Sequence, residues 1–318
     1  MLNDYFCTYY KSQIVKKVSV ILTTYNSGKK LQEVINSISH QEEEGKLFEL
    51  ELLVVDDCST DNTKAILLDN GIDFYVTKKN TGGPNHGRNL ALKKCTGDYI
   101  CIADHDDIWF LNKLKKLLAV SHLAPIVTSG YILSDSSSSK ELARVTKSLD
   151  EKGYLKYEKN ETFLSKLTKS KVGQQTYLGS ILFDSSLKHI LFEEEHGMID
   201  FDWVLKLFYN QKSVEVCSAL YLRKVEGANL SLNEQYRIND YHYSLKTISS
   251  YKSEYSTSVK CSEKRINGSM GRYYYLIGNM KLARKYLLKS TIELKTILYL
   301  ITTFLGSKIV KRYFKVFG

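Results

Sequence analysis

Residues 18–26 read VSVILTTYN. Val18, Val20, Ile21 and Leu22 form a short apolar, mostly β-branched run, and polar residues follow at once. Such a run predicts a buried strand with a polar end. Working outward, the pattern repeats. Leu50 to Val55 predicts a second strand ending at Asp56-Asp57, Ile72 to Val76 a third, and Tyr99 to Ala103 a fourth ending at Asp104. Between them, Leu31, Val34, Ile35 and Ile38 recur at helical spacing, and helices are also predicted over His86–Lys94 and Leu111–Leu118. Ser59 or Asp61 is placed to cap the helix after the second strand. Strand–helix alternation of this kind predicts a doubly wound α/β domain, with a mostly parallel central sheet and helices on both faces.

Beyond residue 130 the pattern changes. Ser134 to Ser139 reads as a polar loop, and the charged stretch to about Lys171 as a mobile excursion over a site. Apolar signal resumes at Tyr177–Phe183. A helix over Phe201–Tyr209 follows, then short strands at Val214–Val216 and Leu220–Leu222, and helices beyond Asn233.

The chain has 318 residues, 43% hydrophobic and 12% aromatic, enough to bury a sizeable core. That excludes disorder as the main state. Six cysteines carry no CxxC pair or metal-ligand spacing, which suits a reducing compartment. Met1 to Lys17 lacks the basic-then-apolar order of a signal peptide.

The net charge of +10 is unevenly placed. Gly271 to Gly318 holds ten basic residues and one acidic residue, so +9 of the excess lies there and the remainder is almost neutral. In the last stretch, Val310, Tyr313, Phe314 and Phe317 recur on one helical face and Lys308, Lys311, Arg312 and Lys315 on another. This fits an anionic membrane surface. A solvated or domain-packed terminal helix is the competing reading. The uncharged run Thr296–Ser307 is too short to span a bilayer, which needs roughly 20 residues.

In a doubly wound sheet, ligands bind beyond the carboxyl ends of the strands. Those ends carry Thr23, Thr24, Tyr25 and Asn26; Asp56 and Asp57; and Asp104, His105, Asp106 and Asp107. Each acid alone suits a cap or a turn. Asp104 and Asp106 flank one residue, so in an extended segment both point the same way. Two converging carboxylates suit a hard divalent cation completed by water and phosphate. The loop from Asn80 into the following helix is Gly-rich, and Arg88 offers a fork that matches phosphate.

Four stretches together resemble the family-2 glycosyltransferases of the GT-A fold: VSVILTTYN (Val18–Asn26), LLVVDDCSTDNT (Leu52–Thr63), GGPNHGRNLAL (Gly82–Leu92) and GDYICIADHDDIW (Gly97–Trp109). Their order and spacing match as well. Fainter likeness runs through Leu178–Asp184, Ile199–Leu207 and Tyr221–Ser231. The resemblance implies a GT-A catalytic domain over residues 1–232, with a nucleotide-sugar half at about 17–130 and an acceptor half at about 131–232. A helical region with a basic amphipathic tail would occupy 233–318.

The resemblance also implies roles. Thr23, Tyr25 and Asp57 match positions that hold the nucleotide base and ribose, and Arg88 one near the donor. Asp104-His105-Asp106 matches the DXD motif, with Asp106 the direct metal ligand, Asp104 and His105 at the donor, and Asp107 beside them. Asp200 matches the acid of the family's "ED" motif, the catalytic base, although Ile199 replaces the Glu; Asp202 is the fallback. Glu226 stands where many relatives carry a metal-side His, and Lys224 where they carry Arg.

The implied function is inverting transfer of a sugar from a nucleotide sugar, UDP-linked, to a hydroxyl of a glycan or lipid-linked glycan during surface polysaccharide synthesis. Mn²⁺ or Mg²⁺ is the implied cofactor, and the implied location is cytoplasmic, peripheral at the inner face of the membrane, with no nucleic acid as partner. A carboxylate base that takes the acceptor proton and a metal that steadies the leaving diphosphate agree with it. Two alternatives remain at this level: a sugar nucleotidyltransferase, and a non-enzymatic binder of anionic polymers through the tail.

Overall fold

Strand β1 (Lys16–Thr24) is buried from Val18 to its last residue. A strand covered on both faces reads as a continuous apolar run, which is why VSVILTT does not alternate. β1 pairs in parallel with β2 (Phe48–Asp56) on one side and β4 (Tyr99–Ala103) on the other, and β2 pairs in parallel with β3 (Phe74–Val76). Thr24 lies opposite Asp56 and Leu22 opposite Ala103, so the three long strands end almost level. The computed structural model describes residues 15–135, 140–147, 152–170, 172–195, 200–225 and 234–306.

Helices α1 (Leu31–Ser39), α2 (Thr63–Asp69) and α3 (Asn85–Lys94) make the crossovers. α1 buries the predicted stripe of Leu31, Val34, Ile35 and Ile38. At α2 it is Asp61, rather than Ser59, that holds the helix start. Asp61 Oδ1 accepts the Thr63 N–H at 2.9 Å, and Oδ2 accepts the Gly28 N–H from the loop after β1 at 3.0 Å.

Past β4 the sheet becomes mixed. β9 (Leu182–Asp184) lies antiparallel between β4 and β6 (Ile126–Asp135). β6 then pairs in parallel with β10 (Ser213–Val225), and β10 pairs antiparallel with β5 (Asp107–Trp109). The two short strands predicted at Val214–Val216 and Leu220–Leu222 are thus one strand, with register irregularities on either side of Ala219. The segment read as an excursion also carries elements. β7 (Lys140–Arg144) pairs with β6, β8 (Tyr154–Tyr157) pairs with β10, and α5 spans Glu161–Leu167. Such short strands take their stability from pairing and packing, which local periodicity does not register.

The chain divides into two compact units. The first holds residues 1–157, 175–192 and 213–225, and so the whole sheet. Its core joins Val20, Leu22, Leu31, Val34, Val54, Leu114, Leu182 and Tyr221. Gly97 lets two backbones meet there. A Cβ at that position would sit 2.6 Å from the Ser19 backbone nitrogen.

The second unit holds residues 158–174, 193–212 and 226–318. It includes α5, α6 (Phe201–Phe208), α7 (Glu234–Ser249), α8 (Ser256–Ile277), α9 (Met280–Leu287) and α10 (Leu294–Thr302). Aromatic edges build its core. Phe163 meets Tyr209, Tyr251 and Tyr255 at ring separations of 5.0–5.3 Å, and Tyr275 meets Tyr299 at 4.7 Å. α8 ends at Gly278 with φ 90°, a left-handed cap suited to glycine. Among the described residues no helix is long and apolar enough to cross a membrane. The amphipathic stretch predicted over 308–317 lies outside the described residues.

A polar clamp at the amino end of β1 yields a prediction. Burial raises the Glu51 carboxyl, but hydrogen bonds from Ser19 and Thr96, with Lys17 at 2.9 Å, outweigh it and bring it down to about 2. A depressed folded-state value stabilises the protein above the unfolded value near 4.5, and this is lost as pH falls towards 2. Glu51→Gln is expected to cost about 1–3 kcal/mol at neutral pH. Urea midpoints of the variant should decline less between pH 4.5 and 2 than those of the parent; parallel declines would contradict this.

Candidate active site

The carboxyl edge of β2, β1 and β4 gathers most of the predicted residues, all in the first unit. Thr23 and Thr24 are buried at the end of β1, and Thr24 Oγ1 donates to Asp56 Oδ1 at 3.0 Å. Tyr25, just beyond, is 45% exposed. Asn26 takes φ 47°, and its side chain accepts the Thr60 N–H at 2.9 Å. Asp56 also accepts the N–H and hydroxyl of Ser59, so it is a structural acid that ties two strand ends together.

Asp57 faces the Gly-rich loop. It is buried and accepts the Thr77 hydroxyl at 2.8 Å, the Thr81 N–H at 2.9 Å and the Thr81 hydroxyl at 3.0 Å. This carboxylate therefore fixes the loop that leads into α3. One turn into α3 stands Arg88, 2% exposed. Gly87 beside it allows the close approach, since a Cβ there would lie 3.0 Å from Thr23 Cγ2. The Arg88 guanidinium donates to Asp104 Oδ1 at 2.7 Å and lies 5.3 Å from the centre of the Phe192 ring. Its Nε is buried with no hydrogen-bond partner among the described residues.

Asp104 to Asp107 is a turn, not the extended segment the spacing suggested. The Asp107 N–H donates to the Asp104 carbonyl at 3.3 Å, and Asp107 then opens β5. Turn closure, rather than strand alternation, brings the carboxylates within electrostatic reach. Burial, then the charge of Asp104, raises the Asp106 carboxyl above its ordinary range, while His105 opposes the shift. Asp107 is raised well above the ordinary range by burial and by both neighbouring acids, against Arg223 and Lys113.

Lys113 and Arg223 were missed by sequence reasoning. Lys113 is wholly buried at the start of α4 (Lys113–Val120). Its ammonium donates to the Gly179 carbonyl and lies 3.8 Å from the Trp109 ring centre and 4.6 Å from that of Tyr221. Burial lowers it to about 8. The signal was a lysine four residues before Leu117, on the buried stripe of its helix. Arg223 lies opposite Asp107 in the β10–β5 register, with its guanidinium 4.5 Å from the Tyr177 ring centre. Its signal was the strand period, which puts it on the same face as buried Tyr221. Lys224, on the other face, instead pairs with Glu33 at 2.8 Å.

Asp200 belongs to the second unit. It occupies the N-cap position of α6 but makes no side-chain capping hydrogen bond, so the cap reading is not realised. Its charge reaches half-buried Lys169 and Tyr236. Burial, with Asp240 and Asp200, pushes the Tyr236 hydroxyl up to about 12. Asp202 is committed to Lys206 at 2.6 Å. Glu226 and Ile199 lie outside the described residues.

Among the described residues, no three His, Cys, Asp or Glu side chains are arranged as metal ligands. The pair Asp104 and Asp106 nevertheless offers hard oxygen donors in a partly buried turn where negative charge is in excess. That fits a cation whose remaining positions are filled by water and phosphate oxygens.

Over 101 residues the chain is 42% identical to the poly(ribitol-phosphate) β-N-acetylglucosaminyltransferase TarS of Staphylococcus aureus, a match covering 30% of this chain and 17% of TarS. It is 25% identical to the GalNAc(5)-diNAcBac-PP-undecaprenol β-1,3-glucosyltransferase of Campylobacter jejuni, across 74% of this chain and 80% of that one. The fold matches the crystal structure of S. aureus TarS 1–349 in complex with UDP-GlcNAc, with TM-score 0.56, 18% identity, and 93% and 91% of the two chains covered. It also matches the mannosyltransferase PcManGT of Pyrobaculum calidifontis in complex with GDP-Man and Mn²⁺, with TM-score 0.58, 14% identity, and 96% and 83% covered. These likenesses establish a GT-A fold. Residues 19–190 match the family model described as glycosyl transferase family 2, and the chain belongs to that family.

Proposed function

We propose that the chain is an inverting, metal-dependent glycosyltransferase. It moves a sugar from a UDP-linked donor to a hydroxyl of a glycan or lipid-linked glycan in surface polysaccharide synthesis. The observation that carries this reading is the ion pair of buried Arg88 with Asp104. It joins the helix of the Gly-rich loop to the acid turn at the level ends of β1, β2 and β4. The donor class is supported by TarS, whose structure is a UDP-GlcNAc complex. The acceptor class is supported by the Campylobacter relative, named for a GalNAc(5)-diNAcBac-PP-undecaprenol acceptor. Residues 1–232 would form the catalytic domain and 233–318 its helical appendage. An acceptor carried on a lipid would place the reaction at the inner face of the membrane.

Thr23, Tyr25 and Asp57 would receive the base and ribose, with the exposed Tyr25 ring as a stacking surface. Asp57 already directs its oxygens at loop donors, so the loop is set before the donor arrives. Asp104 and Asp106 would hold the divalent cation, Mn²⁺ or Mg²⁺, which supplies neutralising charge for the diphosphate. Arg88 adds a second positive group beside it and orients Asp104. Asp200 is the base: its carboxylate takes the acceptor proton as the hydroxyl attacks. Proton removal from the acceptor hydroxyl and departure of the nucleoside diphosphate in one displacement give inversion.

Three outcomes check this. With a UDP-sugar, Mn²⁺ and a glycan acceptor, the product should be UDP; release of pyrophosphate would mean nucleotidyl transfer instead. Asp200→Asn should keep UDP affinity but lower kcat at least ~100-fold. Asp106→Ala should lower kcat/KM roughly a thousandfold, the scale of several kcal/mol of charge stabilisation. An unchanged rate in either variant would move that role to another residue.

A further inference from the structure

α10 is inside out. Its buried face is Thr296, Tyr299 and Thr302, with Tyr275 donating to Thr302 Oγ1 at 2.8 Å. Its outward face is an apolar stripe. Leu294, Ile297, Leu298 and Ile301 follow one another at the spacing of a single helical side, Leu305 lies just past the helix end, and all are exposed, Leu294 by 75% and Ile301 by 58%. Water-facing helices normally carry the opposite arrangement, and a continuous exposed apolar strip marks an interaction surface.

Charge decides what covers the strip. Lys281, Lys285 and Lys289 stand at intervals of four along α9 and the turn after it, and Lys295 stands on α10 itself; all four are exposed. From Gly271 onward Glu293 is the single acid. A second copy of this chain would bring the same lysines against these, and the chain's last twelve residues would add Lys308, Lys311, Arg312 and Lys315. A surface that is apolar inside and negative outside satisfies both features: acyl chains take the leucines and isoleucines, and anionic headgroups take the lysines.

We propose that the outward face of α10, together with the exposed lysines of α9 and Lys295, docks on an anionic lipid surface. This goes beyond the transfer reaction and holds or fails independently of it.

The test is flotation of the full chain with vesicles of phosphatidylcholine alone, or containing about 30% phosphatidylglycerol, at about 0.15 M salt. The chain should float with the anionic vesicles and not the neutral ones, and less so as salt rises. Ile297→Glu with Ile301→Glu, changes at exposed positions, should reduce recovery at least about tenfold while leaving the thermal midpoint in place. Lys285→Gln, Lys289→Gln and Lys295→Gln together should weaken flotation on anionic vesicles several-fold. A chain ending at Gly306 should still float through the stripe. No flotation, or equal flotation on both vesicles, overturns the proposal. A dimer by light scattering that the double Glu variant dissolves, without flotation, assigns the face to a second copy. Flotation that appears only in the chain ending at Gly306 assigns it to the chain's own last residues.

Discussion

Five carboxylates stand at or just beyond the ends of the buried parallel strands, and their charge must be compensated before the sheet can close over them, because an unpaired buried charge is costly. The chain meets this locally and with different partners. Asp56 takes hydroxyls from Thr24 and Ser59, Asp57 takes Thr77 and Thr81, and Asp104 takes Arg88. Asp107 is opposed by the charges of Arg223 and Lys113. These pairings set the loop after β1, the Gly-rich loop, the start of α3 and the acid turn. Asp106 and Asp107 are where compensation falls short, with both carboxyls raised by burial and by neighbouring acids. The same residues that stabilise the edge leave one place on it where positive charge from outside is favourable.

Much of this was legible in the sequence because it rests on local pattern. The runs at Val18, Leu50 and Tyr99 are apolar on both faces, so parallel strands followed, and the polar residue after each run marked one edge. Two parts were not legible. The geometry of Asp104–Asp107 depends on a turn closed by the Asp107 N–H, which a one-residue spacing does not distinguish from an extended strand. The support beneath it comes from distant segments: Lys113 binds Gly179, and Arg223 reaches Asp107 only because β10 and β5 share a register. Side chains at such long separation are joined by topology, not by motif. The resemblance that singled out Lys224 pointed one residue away from the cation that faces the turn.

The second unit shows the same limit. Phe163, Tyr209, Tyr251 and Tyr255 form one aromatic cluster although they come from three places in the sequence. Helical periodicity was enough to expect α6 to α10. It did not say which face of α10 turns inward, since Thr296, Tyr299 and Thr302 are as regularly spaced as the leucines and isoleucines. Packing decided that, through the edge-on contact of Tyr275 with Tyr299 and its hydrogen bond to Thr302.

The central claim is that the acid turn is a site for a divalent cation carrying a nucleoside diphosphate. Calorimetry of UDP binding, with and without Mn²⁺, in the parent chain and in Asp106→Asn, tests it most directly. The account predicts that Mn²⁺ tightens UDP binding in the parent at least about tenfold, a coupling of about 1.4 kcal/mol, and does not do so in the variant. Equal tightening in both chains, or none in the parent, would contradict it.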